Sequence, residues 1–209
     1  MRLKVCGMKH NTIDVAKLQP DYLGFIFYAK SPRNYEAKVI ELPESIKKVG
    51  VFVNAPIQTV LDHINRYGLD VIQLHGNETA EYTRDLLRVL IDSSTKIPQF
   101  IKVFSIKDDF DFTQLKPFKD LVDYYLFDTK GKLPGGNGYT FNWDVLKHYP
   151  STKPYFLSGG IGPDEIDKIK AFKQSEASKY CYAIDVNSKF ETEPGLKNIS
   201  ALEKFKNEL

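Results

Sequence analysis

The sequence predicts an α/β protein folded as a closed (β/α)8 barrel, the TIM-barrel class, in a single compact domain over residues 1–209. Three observations carry that expectation. Short apolar runs rich in β-branched and aromatic residues occur eight times, helical periodicity lies between them, and no hairpin-type turn joins one run to the next. Continuous apolar runs are strands buried on both faces, and alternation with helices implies parallel order with right-handed crossovers. An open doubly wound sheet is the competing architecture, but it wants a Gly-rich fingerprint after the first strand, where this chain has Cys6-Gly7-Met8-Lys9. A chain of 209 residues is near the lower bound of about 200 for a barrel, so its loops must be short.

The strands are expected at Leu3–Cys6, Tyr22–Phe27, Lys48–Val53, Val71–Leu74, Phe100–Phe104, Tyr124–Phe127, Pro154–Leu157 and Tyr182–Val186. Ile57, Val60, Leu61 and Ile64 share one helical face, as do Leu86, Leu87 and Leu90, and then Ile199, Leu202, Phe205 and Leu209. Pro56 and Pro163 suit first-turn positions, where a missing N–H costs no hydrogen bond. The helical signal is weakest in the second unit, interrupted by Pro43, and in the fifth, around Phe110–Phe118.

Composition narrows the function. At 42% hydrophobic and 27% charged the chain can bury a full core, and a net charge of +2 leaves no surplus for a polyanion, so nucleic acid is not an expected partner. No stretch approaches the roughly 18 uncharged apolar residues of a membrane span, and Met1–Asn11 carries Arg2, Lys4 and Lys9 without an apolar run. Two cysteines make no disulfide framework and have no metal-site spacing, so we expect a cytoplasmic protein with no metal. Cys6 and Cys181 would lie at opposite ends of adjoining strands, about 15 Å apart, against the roughly 7 Å a disulfide spans.

Catalytic groups of a parallel barrel come from the C-terminal ends of its strands. Those ends carry Cys6, Ser31-Pro32-Arg33, Asn54, His75, Ser105, Asp128, Ser158-Gly159-Gly160 and Asp185 to Ser188. Cys6 can act as a base if its pKa falls from about 8.5, and Asp128 as a general acid if apolar surroundings keep it protonated. A buried free cysteine is as often an inert small hydrophobe, and a strand-end aspartate as often a turn cap. Gly159 and Gly160 after the seventh strand, and Asn187 and Ser188 after the eighth, stand where barrels offer backbone N–H groups to phosphate. Gly135-Gly136-Asn137-Gly138 suits a loop approaching a ligand, with Gly136 at its centre. Arg33 brings a planar fork for a carboxylate or phosphate, and His75, with no partner at ligand spacing, is a substrate contact or a structural hydrogen bond. Trp143 is expected in the core.

Together these segments resemble phosphoribosylanthranilate isomerase, the cofactor-free isomerase of tryptophan biosynthesis. The resemblance runs through Lys4-Val5-Cys6-Gly7, Gly24-Phe25-Ile26-Phe27 with Ser31-Pro32-Arg33, Val51-Phe52-Val53-Asn54, Gln73-Leu74-His75-Gly76, Phe127-Asp128, and Gly135 to Gly138 with Phe141 and Trp143. It continues through Leu157-Ser158-Gly159-Gly160 and Asp185-Val186-Asn187-Ser188 with Pro194-Gly195. It implies an Amadori rearrangement of N-(5-phosphoribosyl)anthranilate to 1-(2-carboxyphenylamino)-1-deoxyribulose 5-phosphate, without a cofactor. By the same likeness Cys6 is the general base, Asp128 the general acid and Arg33 the holder of the anthranilate carboxylate. Gly159, Gly160, Asn187 and Ser188 hold the phosphate, and His75 is a neighbour of the site. Asn137 for Thr or Ser, Asn142 for Asp and Lys189 for Gly depart from the family pattern. The partner is then a small phosphorylated substrate, and the chain a monomer or homodimer. Two other functions compete: a sugar-phosphate isomerase of histidine biosynthesis, which resembles paired aspartates where this chain has Cys6, and a barrel that binds a phosphorylated metabolite without turning it over.

Overall fold

The computed structural model describes residues 1–93, 96–107, 109–129 and 140–209. Eight strands close into a barrel in chain order: β1 (Arg2–Cys6), β2 (Tyr22–Phe27), β3 (Lys47–Phe52), β4 (Val71–Leu74), β5 (Gln99–Ile106), β6 (Tyr124–Thr129), β7 (Tyr155–Leu157) and β8 (Cys181–Val186). Every neighbouring pair is parallel, and β1 pairs with β8 to complete the ring, Leu3 opposite Ile184 and Lys4 opposite Asp185. All eight expected strands are present. Two run further at their C-terminal ends than the apolar pattern indicates, so Ser105 and Asp128 lie inside β5 and β6 instead of just beyond them. A polar side chain at the barrel mouth is compatible with strand backbone, and the pairs Ser105–Asp128 and Ile106–Thr129 continue the ladder.

Side chains alternate across the wall. The outward set packs against α1 (Thr12–Lys17), α2 (Ile57–Tyr67), α3 (Ala80–Asp92), α4 (Ile166–Lys173) and α5 (Ile199–Glu208), with Val60, Ile64, Leu86, Leu90, Leu202 and Phe205 buried as the helical spacing requires. Pro56 is the N-cap of α2, and Gly68 closes that helix in the left-handed region at φ +59°.

The regular alternation fails where its signal is weak. The β2–β3 connection contains no helix, since Pro43 breaks a pattern already too short for one. Tyr35 covers the wall there instead, packing edge-on to Phe25, Phe27 and Tyr67. After β5 and before β7 the covering elements are 3-10 helices, Phe112–Phe118 with Pro117 inside it and Trp143–His148. Trp143 is buried against Phe172, as expected of a core residue. Asn142 caps the second of these helices, its side chain accepting from the Asp144 N–H, so the departure from Asp at that position keeps the cap.

Inside the ring the packing is layered. Tyr22, Tyr124, Phe156 and Tyr182 plug the N-terminal end, with ring centroids 4.9–5.7 Å apart in the closest pairs. Val49, Val51, Val71, Ile101, Val103, Leu126 and Ala183 fill the middle. Polar groups are left for the C-terminal mouth. Two mouth loops are tied by Glu78, whose carboxylate accepts the N–H groups of Asn54 and Gly76 and a 2.8 Å bond from the Lys102 ammonium on β5. Asn54, held at φ +50°, is thereby accounted for structurally. Among the described residues no helix is long and apolar enough to cross a membrane.

Lys102 and Glu78 are both at most 5% exposed. Removing one partner strands the other charge in a dry interior, so Lys102→Met should lower stability by about 3–5 kcal/mol in denaturant unfolding. A loss below about 1 kcal/mol would show that the mouth loops do not depend on this pair.

Candidate active site

A cavity of about 420 Å³ opens at the C-terminal mouth. Cys6 enters it from the end of β1, Gln73 and His75 from β4 and the residue after it, Asp128 from β6, and Asp185 from β8. Gly159, Gly160, Asn187 and Ser188 line one part of the wall and Arg33 another. The structure therefore brings together Cys6, Arg33, His75, Asp128, Gly159, Gly160, Asn187 and Ser188 around one space. Gly136 lies outside the described residues, as does Asn137. Asn54 and Ser105, though at strand ends, do not line the cavity.

Local sequence explains why these groups can meet. Cys6 faces Gly24 on β2, and a Cβ at position 24 would come within 2.8 Å of the Cys6 sulfur, so a glycine there makes room for the thiol. Gly159 has φ +92°, and a Cβ on it would fall 2.3 Å from the Thr129 backbone nitrogen. No other residue suits that turn, which presses the loop after β7 against the end of β6.

Burial pushes the Cys6 thiol above its usual range, with Lys4 and Lys197 pulling down and Asp185 pushing up. His75 Nε2 stands 3.4 Å from Asp128 Oδ2, while the Gln73 side-chain amide meets His75 Nδ1 at 3.0 Å. With Nδ1 accepting from Gln73, the neutral ring carries its proton on Nε2, aimed at Asp128.

Arg33 is not a loose surface group. Its Nε and Nη2 form a fork on the Glu191 carboxylate at 2.6–2.9 Å. Five N–H donors leave the remaining edge of the guanidinium, around Nη1, for another acceptor. Glu191 also receives the Lys197 ammonium at 2.7 Å, and Lys197 reaches the Asn187 side-chain oxygen at 2.8 Å. Both acceptor and cation sit on a short antiparallel pair after β8, β9 (Glu191–Glu193) and β10 (Leu196–Lys197). Lys189, the departure from Gly, also lines the cavity, and its side-chain stem packs against Gly162, so it adds a cation beside Ser188.

Sequence reasoning missed Lys4, Gln73, Glu191 and Lys197, and placed Asp185 only at the start of a phosphate loop. The available signal was charge inside apolar strands: Lys4 in Leu3–Cys6 and Asp185 in Tyr182–Val186.

Comparison with known proteins fits this site. The family model described as N-(5'phosphoribosyl)anthranilate (PRA) isomerase matches residues 3–208. The chain belongs to that family. A phosphoribosylanthranilate isomerase of Parabacteroides distasonis is 39% identical, over 98% of this chain and 91% of that one. One from Phocaeicola vulgatus is 37% identical, over 100% and 98%. The crystal structure of the isomerase from Thermotoga maritima superposes with a TM-score of 0.80 at 27% identity, covering 100% of this chain and 98% of its own.

Glu191 gives the site an acid-sensitive brace. Burial pushes its carboxyl up, but Arg33 and Lys197 pull it further down, below the ordinary 4.5. A depressed carboxylate contributes stability above its unfolded pKa and loses it as pH falls through the folded one. Glu191→Gln should therefore be less stable than the parent near neutral pH, with the gap closing as pH drops below about 4.5. Denaturation midpoints of the two proteins across that range check this, and a pH-independent gap would contradict it.

Proposed function

We propose that this chain performs the Amadori isomerisation of N-(5'-phosphoribosyl)anthranilate in tryptophan biosynthesis by general acid–base catalysis, with Asp128 as acid and Cys6 as base. The observation that carries this reading is that a thiol on β1 and a carboxyl on β6 line one cavity at the barrel mouth, in a chain of the isomerase family. Asp128 gives a proton to the furanose ring oxygen, the C1–O bond breaks, and an iminium forms between C1 and the anthranilate nitrogen. Cys6 as thiolate takes the C2 proton, and the electrons of that C–H bond form the C1–C2 double bond of an enolamine. Tautomerisation of the enol moves a proton to C1 and leaves the ketone. Substrate and product are isomers, so the two side chains need only exchange their protons with water to reset.

His75 is placed to steady the Asp128 carboxylate once its proton has gone, since Nε2 faces Oδ2. The open edge of Arg33 suits the anthranilate carboxylate. Gly159, Gly160, Asn187 and Ser188 suit the phosphate, with Lys189 adding positive charge at that end, and Gly136 would approach the ligand from the loop after β6. Anchoring both charged ends fixes the sugar between acid and base. We place the enzyme in the cytoplasm, as a monomer or homodimer; two free cysteines suit a reducing compartment.

The histidine-pathway reading has the weaker support, because the family match is to the tryptophan-pathway isomerase. Cys6→Ser and Asp128→Asn should each lower kcat by orders of magnitude with little change in ligand affinity, followed by the fluorescence loss of freshly generated phosphoribosylanthranilate. Arg33→Ala should chiefly raise KM. Full turnover in Cys6→Ser would remove the thiol from the mechanism, and tight product binding without turnover by the parent would favour a binding protein.

A further inference from the structure

A buried ammonium sits under the base. Lys4 precedes Cys6 by two residues on β1, so both point into the barrel. Its side chain has no exposure to solvent and lies 2.8 Å from Asp185 Oδ2. Its charge acts on the Cys6 sulfur, which occupies the next inward position of the same strand. Asp185 is 5% exposed and lines the cavity, and its Oδ1 has no hydrogen-bond partner among the described residues. A buried ion pair of this kind adds little net stability over apolar side chains of equal volume, so stability alone does not explain it in the middle of a packed barrel.

Charge counting points to its use. A Cys6 thiolate alone beside the Asp185 carboxylate would bring two negative charges together in a dry interior, and the Lys4 ammonium offsets one of them. Burial pushes Lys4 down, but Asp185 and Cys6 outweigh it and hold it above its ordinary value, so the ammonium persists through the working range. The charged groups facing Cys6 are Lys4 on its own strand, Asp185 on β8 and Lys197 on β10. Arg33, His75 and Asp128 line the same cavity, and β2 presents only Gly24 at this level.

We propose that Lys4 is a positioning residue for the base: it is the counter-ion that a Cys6 thiolate requires inside the barrel, and Asp185 holds that ammonium in place while limiting how much of its charge the sulfur feels. The inference rests on the reading of Cys6 as base. The thiol proton leaves to water through the open mouth, and the ammonium stays where it is.

The test is the pH dependence of Cys6 alkylation by iodoacetamide in the substrate-free protein, in a Cys181→Ser background so that Cys6 is the sole thiol. Lys4→Met should move the midpoint up by about one pH unit or more, a tenfold slower reaction at a pH below both midpoints. Lys4→Arg, which keeps the charge, should stay near the parent. Asp185→Asn should move the midpoint down, because a negative neighbour is gone while the ammonium remains. Lys4→Met with Asp185→Asn should fall between the parent and Lys4→Met; it leaves no unpaired buried charge and serves where the single variant does not fold. A purely structural pair would change stability without these opposed displacements. An unmoved midpoint in Lys4→Met or in the double variant, or an upward one in Asp185→Asn, overturns the inference. The alkylation needs no substrate, so its failure is distinct from that of the catalytic reading, which falls if Cys6→Ser turns over normally.

Discussion

Closure of the barrel through the β1–β8 ladder is the constraint on which the rest of the molecule depends. That pairing sets Lys4 opposite Asp185 and Val5 opposite Val186, residues from the two ends of the strand series. It seals the interior from lateral water, so every group inside must be apolar, paired or turned to the mouth. The layers follow from this: rings at the N-terminal end, branched aliphatic side chains in the middle, and Cys6, Gln73, Asp128 and Asp185 where solvent and ligand can reach. One ladder thus produces the cavity, its dry floor and the ion pair beneath the thiol.

The mouth is braced by a second kind of interaction, the multiply bonded carboxylate. Glu78 gathers loops after β3 and β4 and the Lys102 ammonium, and Glu191 gathers Arg33 from the β2 loop and Lys197 from the tail of β8. Each carboxylate accepts from several backbone or cationic donors that water would otherwise satisfy, and each joins segments far apart in the chain. For Arg33 the consequence is directional. With Nε and one Nη2 proton engaged, the guanidinium presents a fixed remaining edge, and a fixed donor loses less freedom when it binds.

A barrel of this length has little chain for its outer layer, and aromatic side chains make up the difference. Tyr35 takes the place of a helix beside β2, and Phe110, Phe112 and Tyr149 pack around Phe127, where 3-10 turns are what cover β5 and β6 among the described residues. Large rings bury much area per residue, so a short connection can still shield the wall.

The strands were legible in sequence because double-sided burial demands unbroken β-branched and aromatic runs, and the helices α2, α3 and α5 because one-sided burial imposes a 3.6-residue period. Cys6, Asp128, His75 and the Gly159-Gly160 turn were legible as polar or glycine residues ending such runs, and their family likeness named roles for them. The absence of a helix after β2 was visible only as a weakened pattern around Pro43. Lys4, Gln73, Glu191 and Lys197 were not legible as parts of a site. A charge within an apolar strand has meaning only once the register across β1 and β8 is known. A glutamate following β8 braces an arginine following β2 only after closure has made those strands' neighbours meet. The sequence alone determined the periodicities, and so the elements and their order; the tertiary structure decided which distant charges share a dry interior, because pairing across the ring depends on register and burial that no local pattern encodes.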